Sequence, residues 1–142
     1  MPVYDFIGHY THTIDSKNRV AIPAKYRTQI EDRKVVVTTG FDGCLVVYPV
    51  EEWEMLKEDR ISRLDPMDSR SARDKMRKLL GGAAPCEVDK QGRIGLTAYH
   101  LKRADISKEV VFTGMGNCFE IWGASAWDAY EEDSKERERA EQ

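Results

Sequence analysis

Long apolar runs are missing from this chain of 142 residues. The longest, such as Cys44 to Val47, are far shorter than the roughly 20 apolar residues that a membrane-spanning helix needs. The beginning of the sequence also lacks the basic and apolar segments of a secretion signal. We therefore expect a protein of the cytoplasm that has no membrane segment.

Cysteine and histidine are both scarce, at three residues each. The cysteines include no Cys-x-x-Cys pair, and an odd number fits neither a disulfide framework nor a zinc site. The histidines have no spacing typical of metal ligands. The sequence contains neither a nucleophile elbow nor a glycine-rich phosphate loop. These absences predict no catalytic residues, no metal, no cofactor and no enzymatic activity.

Charge is abundant but nearly balanced, with 33% charged residues and a net charge of −3. The stretch from Arg60 to Lys78 contains seven bases and three acids, a local excess of 7 − 3 = +4. Nucleic-acid binding by such a chain must depend on a local basic surface, because the overall field is weak. We interpret this stretch first as a solvated helix face, with subunit contact or DNA attraction as alternatives.

A duplicated segment is the most informative feature that is present. Residues 15–24 align with residues 89–98 without a gap, at an offset of 89 − 15 = 74. Two copies of one unit typically pack as a pseudo-symmetric pair, which favours binding over catalysis. The same offset relates Lys34 and Lys108, Val36 and Val110, Val37 and Val111, Thr39 and Thr113, Gly40 and Gly114, Cys44 and Cys118, and Trp53 and Trp127.

Each copy has the pattern of a small unit of strands and helices. β-Branched runs predict hairpins with turns at 41–43 and 114–117, and each copy closes with a helix that carries a tryptophan. Between the copies, Asp65 as a cap and Pro66 at the first helical position predict a linker helix that ends at Gly81. We divide the chain into a first unit (1–60), a linker helix (61–82), a second unit (83–130) and a charged C-terminal tail (131–142). We expect the tail to fray or stay disordered because it has no apolar stripe beyond Tyr130.

The strongest candidate site is a turn that occurs twice, from Asp15 to Arg19 and from Asp89 to Arg93. Asn18 and Gly92 occupy the same place in the two turns, and both residue types tolerate positive φ. The aspartate can brace the turn by pairing with the arginine, whose guanidinium matches a phosphate or the O6 and N7 edge of guanine. An ion pair that only braces the turn is the alternative. The exposed donors at the two tips are Lys17, Lys90 and Gln91.

These turns and several other blocks resemble the MraZ family. The blocks are residues 15–27, 46–53, 79–82, 89–96 and 119–122, and in this order they extend over nearly the whole chain. The resemblance implies a mostly β, α+β fold in which two tandem AbrB-like units form a pseudo-symmetric swapped-hairpin β-barrel with peripheral helices. It also implies a nucleoid-associated DNA-binding transcriptional regulator that assembles into a ring. Such a regulator binds direct repeats in promoter DNA upstream of its own cell-division and cell-wall operon. The resemblance favours repression over activation.

Carried over by position, the resemblance places the DNA contacts on Arg19 and Arg93, with Lys25 and Arg27 as further basic residues of the first copy. In the second copy, residues 99–101 replace this basic cluster with Tyr, His and Leu. We therefore expect the first copy to dominate DNA binding.

Three other functions compete with this one. An oligomeric scaffold or an antitoxin-like interaction module without specific DNA binding is the main alternative. An enzyme on a related small barrel would need a nucleophile or an acid/base cluster, which the sequence lacks. RNA binding would need aromatic tips on which single-stranded bases stack. A steep loss of affinity with added salt, together with a preference for repeated sites, would distinguish a regulator from a scaffold.

Overall fold

The structure is a computed structural model that describes residues 4–141, so the first three residues and the last lie outside the described part. Within it, eight strands and five α-helices alternate along the chain, and the predicted α+β class is confirmed. The strands are β1 (His9–Thr13), β2 (Arg19–Ala21), β3 (Lys34–Thr39), β4 (Leu45–Pro49), β5 (Ala84–Glu87), β6 (Arg93–Gly95), β7 (Glu109–Gly114) and β8 (Phe119–Gly123). The helices are α1 (Ala24–Arg27), α2 (Val50–Asp59), α3 (Arg70–Leu79), α4 (Ala98–Arg103) and α5 (Ala124–Ala140), and a short 3-10 helix spans Ile61–Arg63.

The strand order shows how the two copies interlock. Six strands pair antiparallel in the order β1-β7-β8-β4-β3-β5, while β2 and β6 form a separate antiparallel ribbon. Exchanging the copies reverses this order onto itself, so a pseudo-two-fold axis passes between β4 and β8. Strand β1 pairs with β7, and β5 pairs with β3, so each copy adds its first strand to the hairpin of the other copy. This exchange confirms the swapped-hairpin arrangement.

One hydrophobic core lies between the six-stranded sheet and the ribbon. Side chains alternate along a strand, so every second residue of these strands points into the core. Burial of this apolar surface, at about 25 cal/mol per Å², is the main term that stabilises the fold. The two copies supply the core in equivalent pairs, namely Val20 and Ile94, Ile22 and Leu96, Leu45 and Phe119, and Val47 and Ile121.

Helices cover the outer face of the six-stranded sheet. Trp53 of α2 packs with Val36 on one half of the sheet. Trp122 packs with Val111 beneath α5 on the other half. The tryptophans therefore serve packing, and none of the helices in residues 4–141 combines the length and apolarity that crossing a bilayer requires.

The gapless offset of 74 residues between the copies does not hold for the equivalent strands β3 and β7. Val35 of β3 pairs with Pro49, and Val110 of β7 pairs with Gly123. The partners are 123 − 49 = 74 residues apart, whereas the two valines are 110 − 35 = 75 apart. Val110 therefore corresponds to Val35, and not to Val36 as the sequence alignment indicated. Since a one-residue slip exchanges the faces of a strand, Val36 lies under the helices while Val110 lies in the central core.

A difference in the length of the two hairpin turns compensates for this one-residue difference in register. The turn between β3 and β4 has five residues (40–44), and the turn between β7 and β8 has four (115–118). The aligned pairs from Lys34 and Lys108 to Gly40 and Gly114 all shift by one position, while β4 and β8 keep the offset of 74. A run of similar valines fits both registers, so the sequence comparison did not reveal the slip.

The linker helix begins later than predicted. Ser69 caps α3, and its Oγ accepts a hydrogen bond from the N–H of Ala72 at 3.0 Å. Asp65 instead caps the preceding turn, where its carboxylate accepts from the N–H of Met67 at 2.9 Å. Serine and aspartate cap helices for the same reason, so the sequence offered two starting points. The predicted end before Gly81 is confirmed.

The expectation that the C-terminal tail frays is wrong for the described residues, because α5 continues to Ala140. Lys135 and Glu132 form an ion pair at 3.6 Å, and Arg137 pairs with Asp133 one turn apart. Pairs at these spacings stabilise an exposed helix by about 0.2–0.5 kcal/mol each. Ion pairs along the helix therefore offset the missing apolar stripe.

Candidate nucleic-acid interface

The first Asp-to-Arg turn is closed by its own aspartate. Oδ1 of Asp15 accepts hydrogen bonds from the main-chain N–H groups of Lys17 and Arg19, each at 2.9 Å. Oδ2 accepts from Nε of Arg19 at 2.9 Å. One carboxylate therefore fixes both the backbone of the turn and the direction of the arginine side chain.

The second turn repeats this geometry. Oδ1 of Asp89 accepts from the main-chain N–H groups of Gln91 and Arg93 at 2.9 Å each, and Oδ2 accepts from Nε of Arg93 at 3.0 Å. The same hydrogen bonds in two distant parts of the chain show that the five-residue sequence specifies the turn locally.

The tip residues adopt the left-handed conformation that the sequence predicted. Asn18 has φ of 60° and Gly92 has φ of 80°. Each tip is tied to the other copy, since the carbonyl of Asn18 accepts from the N–H of Leu96 and that of Gly92 accepts from the N–H of Ile22, both at 2.8 Å. The two turns therefore form one rigid pair, with one turn at each end of the short antiparallel β2–β6 ribbon.

The ribbon places both arginines on one outer face. Val20 and Ile94 point into the core, so the neighbouring Arg19 and Arg93 point away from it. Nη1 of Arg93 lies 3.7 Å from the carboxylate of Asp15, which places the two sites side by side. The side chains are 33% exposed for Arg19 and 28% for Arg93, so they are oriented by the protein and still accessible. Asp15 binds Nε of Arg19, and the Nη donors of Arg19 have no protein partner within residues 4–141. These donors are therefore available to a ligand.

The other basic residues that the resemblance singled out lie in different places. Arg27 lies over the second turn, where a Cβ built on Gly92 would come within 2.3 Å of its Nη1. Lys25 is exposed on α1, and the tip residues Lys17, Lys90 and Gln91 are exposed as predicted. The structure therefore brings Arg27 of the first copy to the turn of the second copy, which the sequence did not indicate.

His100 is a core residue. Its Nε2 donates a hydrogen bond to the carbonyl of Gly82 at 2.6 Å, and in the first copy the hydroxyl of Tyr26 donates to the carbonyl of Gly8 at 2.7 Å. Burial raises the pKa of Tyr26 to about 12, so its hydroxyl stays a neutral donor. The copies thus use different side chains for one structural task, and His100 takes no part in the candidate interface.

Hydrogen bonds from the main chain control the charge of both carboxylates. The pKa of Asp15 lies below its ordinary value, chiefly because the N–H of Arg19 donates to it, and the pKa of Asp89 is lowered chiefly by the N–H of Arg93. A carboxyl whose pKa is lowered by folding stabilises the protein above its ordinary pKa. That contribution is lost as the pH falls through the lowered value.

We expect the Arg19→Ala variant to keep the pKa of Asp15 below the ordinary aspartate value of about 3.9. The main-chain N–H of residue 19, which is the largest cause of the lowered pKa, survives the substitution. A carboxyl-carbon NMR titration measures this, with Asp89 in the same sample as an internal reference. A return of Asp15 to the ordinary value would instead make the guanidinium the main brace of the turn.

Gly92→Ala is expected to destabilise the fold by about 1–2 kcal/mol, the cost of a left-handed alanine. Its Cβ would also displace Arg27, whose Cδ lies 2.5 Å from the ideal Cβ position. Asn18→Gly is the matched control, because it keeps positive φ at the equivalent tip and should change stability by less than about 0.5 kcal/mol. Urea denaturation at fixed protein concentration distinguishes the two variants, and equal small effects would show that the second tip is not constrained.

The interleaved strands and the paired arginine turns define a swapped-hairpin α+β protein of the AbrB-like class. Residues 6–75 and 79–142 match the family described as "MraZ protein, putative antitoxin-like". The chain belongs to the MraZ family, as the sequence blocks indicated.

Curated relatives extend over most of this chain. The protein named transcriptional regulator MraZ from Halothermothrix orenii is 43% identical over 131 residues, which are 92% of this chain and 90% of the relative. The protein of the same name from Thermoanaerobacter pseudethanolicus is 45% identical over 124 residues, 87% of this chain and 85% of the relative. That from Caldanaerobacter subterraneus subsp. tengcongensis is 44% identical over 124 residues, with the same coverage of 87% and 85%. These relatives are named as regulators of transcription and not as enzymes.

Proposed function

We propose that this protein is a sequence-specific, DNA-binding transcriptional regulator that contacts duplex DNA through both Asp-to-Arg turns. The observation that carries the proposal is the pair of Arg19 and Arg93, held side by side on one outer face. Relatives with at least 43% identity that are named transcriptional regulators support the same function.

Each residue of the turns has a distinct role in this proposal. Arg19 and Arg93 present planar donor forks to a guanine edge or to a phosphate. Asp15 and Asp89 hold those forks in place through Nε. The exposed tip donors contact neighbouring phosphates and fix the register on the duplex. The tip donors are Lys17, Lys90 and Gln91, and the positive-φ residues that shape the tips are Asn18 and Gly92.

Binding by one protomer is weak in this scheme, because two turns supply only a few cationic contacts. Assembly of the chain into a ring makes later contacts intramolecular, which raises avidity by about 10²–10⁴. The DNA then carries direct repeats spaced about one helical turn apart, roughly 34–36 Å, to match neighbouring protomers. The first unit (1–60) and the second unit (83–130) each contribute one turn per protomer, the linker (61–82) joins them, and the tail (131–142) lies outside both.

The proposed target is the promoter of the protein's own cell-division and cell-wall operon, with repression as the outcome, which places the protein at the nucleoid in the cytoplasm. Nuclease footprinting of the DNA upstream of its coding region, combined with native mass measurement of the free protein, tests this. We expect protected direct repeats and a closed oligomer. Absence of protection at low salt would overturn the proposal.

The second candidate is an antitoxin-like protein-binding module, favoured by the description of the family. It predicts little DNA affinity at physiological salt and no preference for repeated sites.

A further inference from the structure

A polar groove of about 300 Å³ separates α3 from α4. It is basic, because three cations and one carboxylate line it, which gives 3 − 1 = +2. The charged stretch that the sequence singled out thus meets the second copy here. The lining residues are Asp74, Arg77, Lys78, Tyr99 and Arg103.

Hydrogen bonds hold both walls of the groove in place. The hydroxyl of Thr39 donates to the carbonyl of Lys78 at 2.6 Å and so anchors the end of α3 to the sheet. Nε2 of the buried His100 donates to the carbonyl of Gly82 at 2.6 Å and ties α4 to the segment that follows α3. The positions of the basic side chains are therefore set by the core and not by a loose linker.

The groove lies next to the first Asp-to-Arg turn. The carbonyl of the tip residue Asn18 accepts from the N–H of Leu96, and the next residue, Thr97, caps α4. Tyr99 and Arg103 share one face of α4, since they are four residues apart. Arg103 lies six residues after the cap, or about 9 Å along the helix axis. That distance corresponds to two or three base pairs at about 3.4 Å each.

Two cations of the groove have no carboxylate partner within the described residues. Asp74 pairs with Arg77 at 3.1 Å, which offsets one charge. Nζ of Lys78 lies 5.5 Å from the centre of the Phe41 ring, and Arg103 forms no ion pair with any residue of 4–141. The hydroxyl of Tyr99 is a further available donor. An anion bound in the groove would therefore contact two unpaired cations and an exposed hydroxyl.

We propose that this groove binds a backbone phosphate of the duplex, beyond those reached by the first turn. The inference rests on the proposed function and extends it. The groove beside the second turn lacks α3, which occurs once between the copies. Its lining residues Glu31 and Asp89 reduce the charge of Arg27, Arg33 and Lys90 to 3 − 2 = +1. The additional phosphate contact therefore lies on only one side of each protomer, next to the first turn. This asymmetry gives the complex a direction along direct repeats.

An acidic helix of a second copy is the competing occupant, and α5 is the acidic helix at hand. Two of the six acids of α5 are already paired with its own bases, Glu132 with Lys135 and Asp133 with Arg137. Those pairs reduce the attraction of α5 to the groove. The phosphates of DNA bound at the first turn have no internal ion pairs that reduce their charge. The adjacency of the turn and the groove therefore favours DNA.

The double variant Lys78→Gln/Arg103→Gln tests the inference against Lys57→Gln/Lys135→Gln. Both remove two positive charges, and the control charges lie on α2 and α5, where they form exposed ion pairs. Affinity is measured over a salt series for the upstream duplex and for an unrelated duplex of equal length. We expect the groove variant to bind both duplexes more weakly, with a log–log salt slope shallower by about 0.9 per bound protomer, the value for the one phosphate that the groove contacts. The control should retain the parental slope.

Each other outcome overturns the inference in a distinguishable way. If the groove variant matches the control while Arg19→Ala still loses specific binding, only the groove assignment fails. If the native mass of the free groove variant falls, the groove is a contact between subunits. If the parent protein binds neither duplex, the proposed function fails and the groove assignment fails with it.

Discussion

The Arg19→Ala variant is expected to lose specific binding to the upstream duplex, by at least about 100-fold, while the native mass of the free protein stays unchanged. A bidentate arginine contact with a base discriminates by about 1–3 kcal/mol, and the loss recurs at every protomer that contacts the DNA. The turn itself should persist, because the main-chain N–H groups of Lys17 and Arg19 hold Asp15 whatever the side chain at position 19.

Two companion variants give this experiment its controls in a gel-shift titration. Arg139→Ala removes the same side chain from the exposed end of α5 and should bind like the parent. Arg19→Lys keeps the charge and removes the planar fork, so it should retain weak, salt-sensitive binding and lose preference for the upstream sequence. Parental affinity of Arg19→Ala would contradict the site assignment.

The Phe112→Ala variant is expected to lose about 3–5 kcal/mol of folding free energy, the usual cost of truncating a buried aromatic side chain. Phe112 is 0% exposed, and its ring lies 5.2 Å from His12 and 6.0 Å from Phe119. It occupies the core position that corresponds to Val37 at the offset of 75, so the cavity would open between the two copies. Urea denaturation at a fixed protein concentration measures the change, since oligomer stability depends on concentration.

Phe41→Ala is the matched control for this loss. Its side chain is 54% exposed, so truncation should cost less than about 1 kcal/mol. If the two variants had similar stability, Phe112 would not lie in the core, and the register of β7 against β8 would be wrong. Val111→Ala, one residue away on the opposite face, should have an intermediate effect because it removes only two methyl groups beneath α5.

Local chemistry explains why the two turns could be predicted from the sequence. All the hydrogen bonds of each aspartate lie within five consecutive residues, and a residue that tolerates positive φ stands at the tip of each turn. The end of α3 before Gly81 could be predicted for the same reason. Alignment of the copies also indicated the pseudo-symmetric pairing that the strand order confirms.

Features that depend on distant contacts were missed. The slip between β3 and β7 is invisible in a run of valines, because each register buries similar side chains. The shared structural task of Tyr26 and His100 requires knowledge of which carbonyl each reaches across the fold. Nothing near Arg27 in the sequence indicates that it lies over Gly92 in the other copy.

Residues 15–19 and 89–93 therefore specify the arginine turns unaided, and the duplication specifies that two of them exist, because these properties arise from short-range hydrogen bonds and from repetition. Their meeting on one face depends on the ribbon that pairs β2 with β6, and the basic groove beside one of them depends on the packing of α3 against α4. Such relations are set by burial and register over the whole core, where side chains far apart in the chain must fit one another.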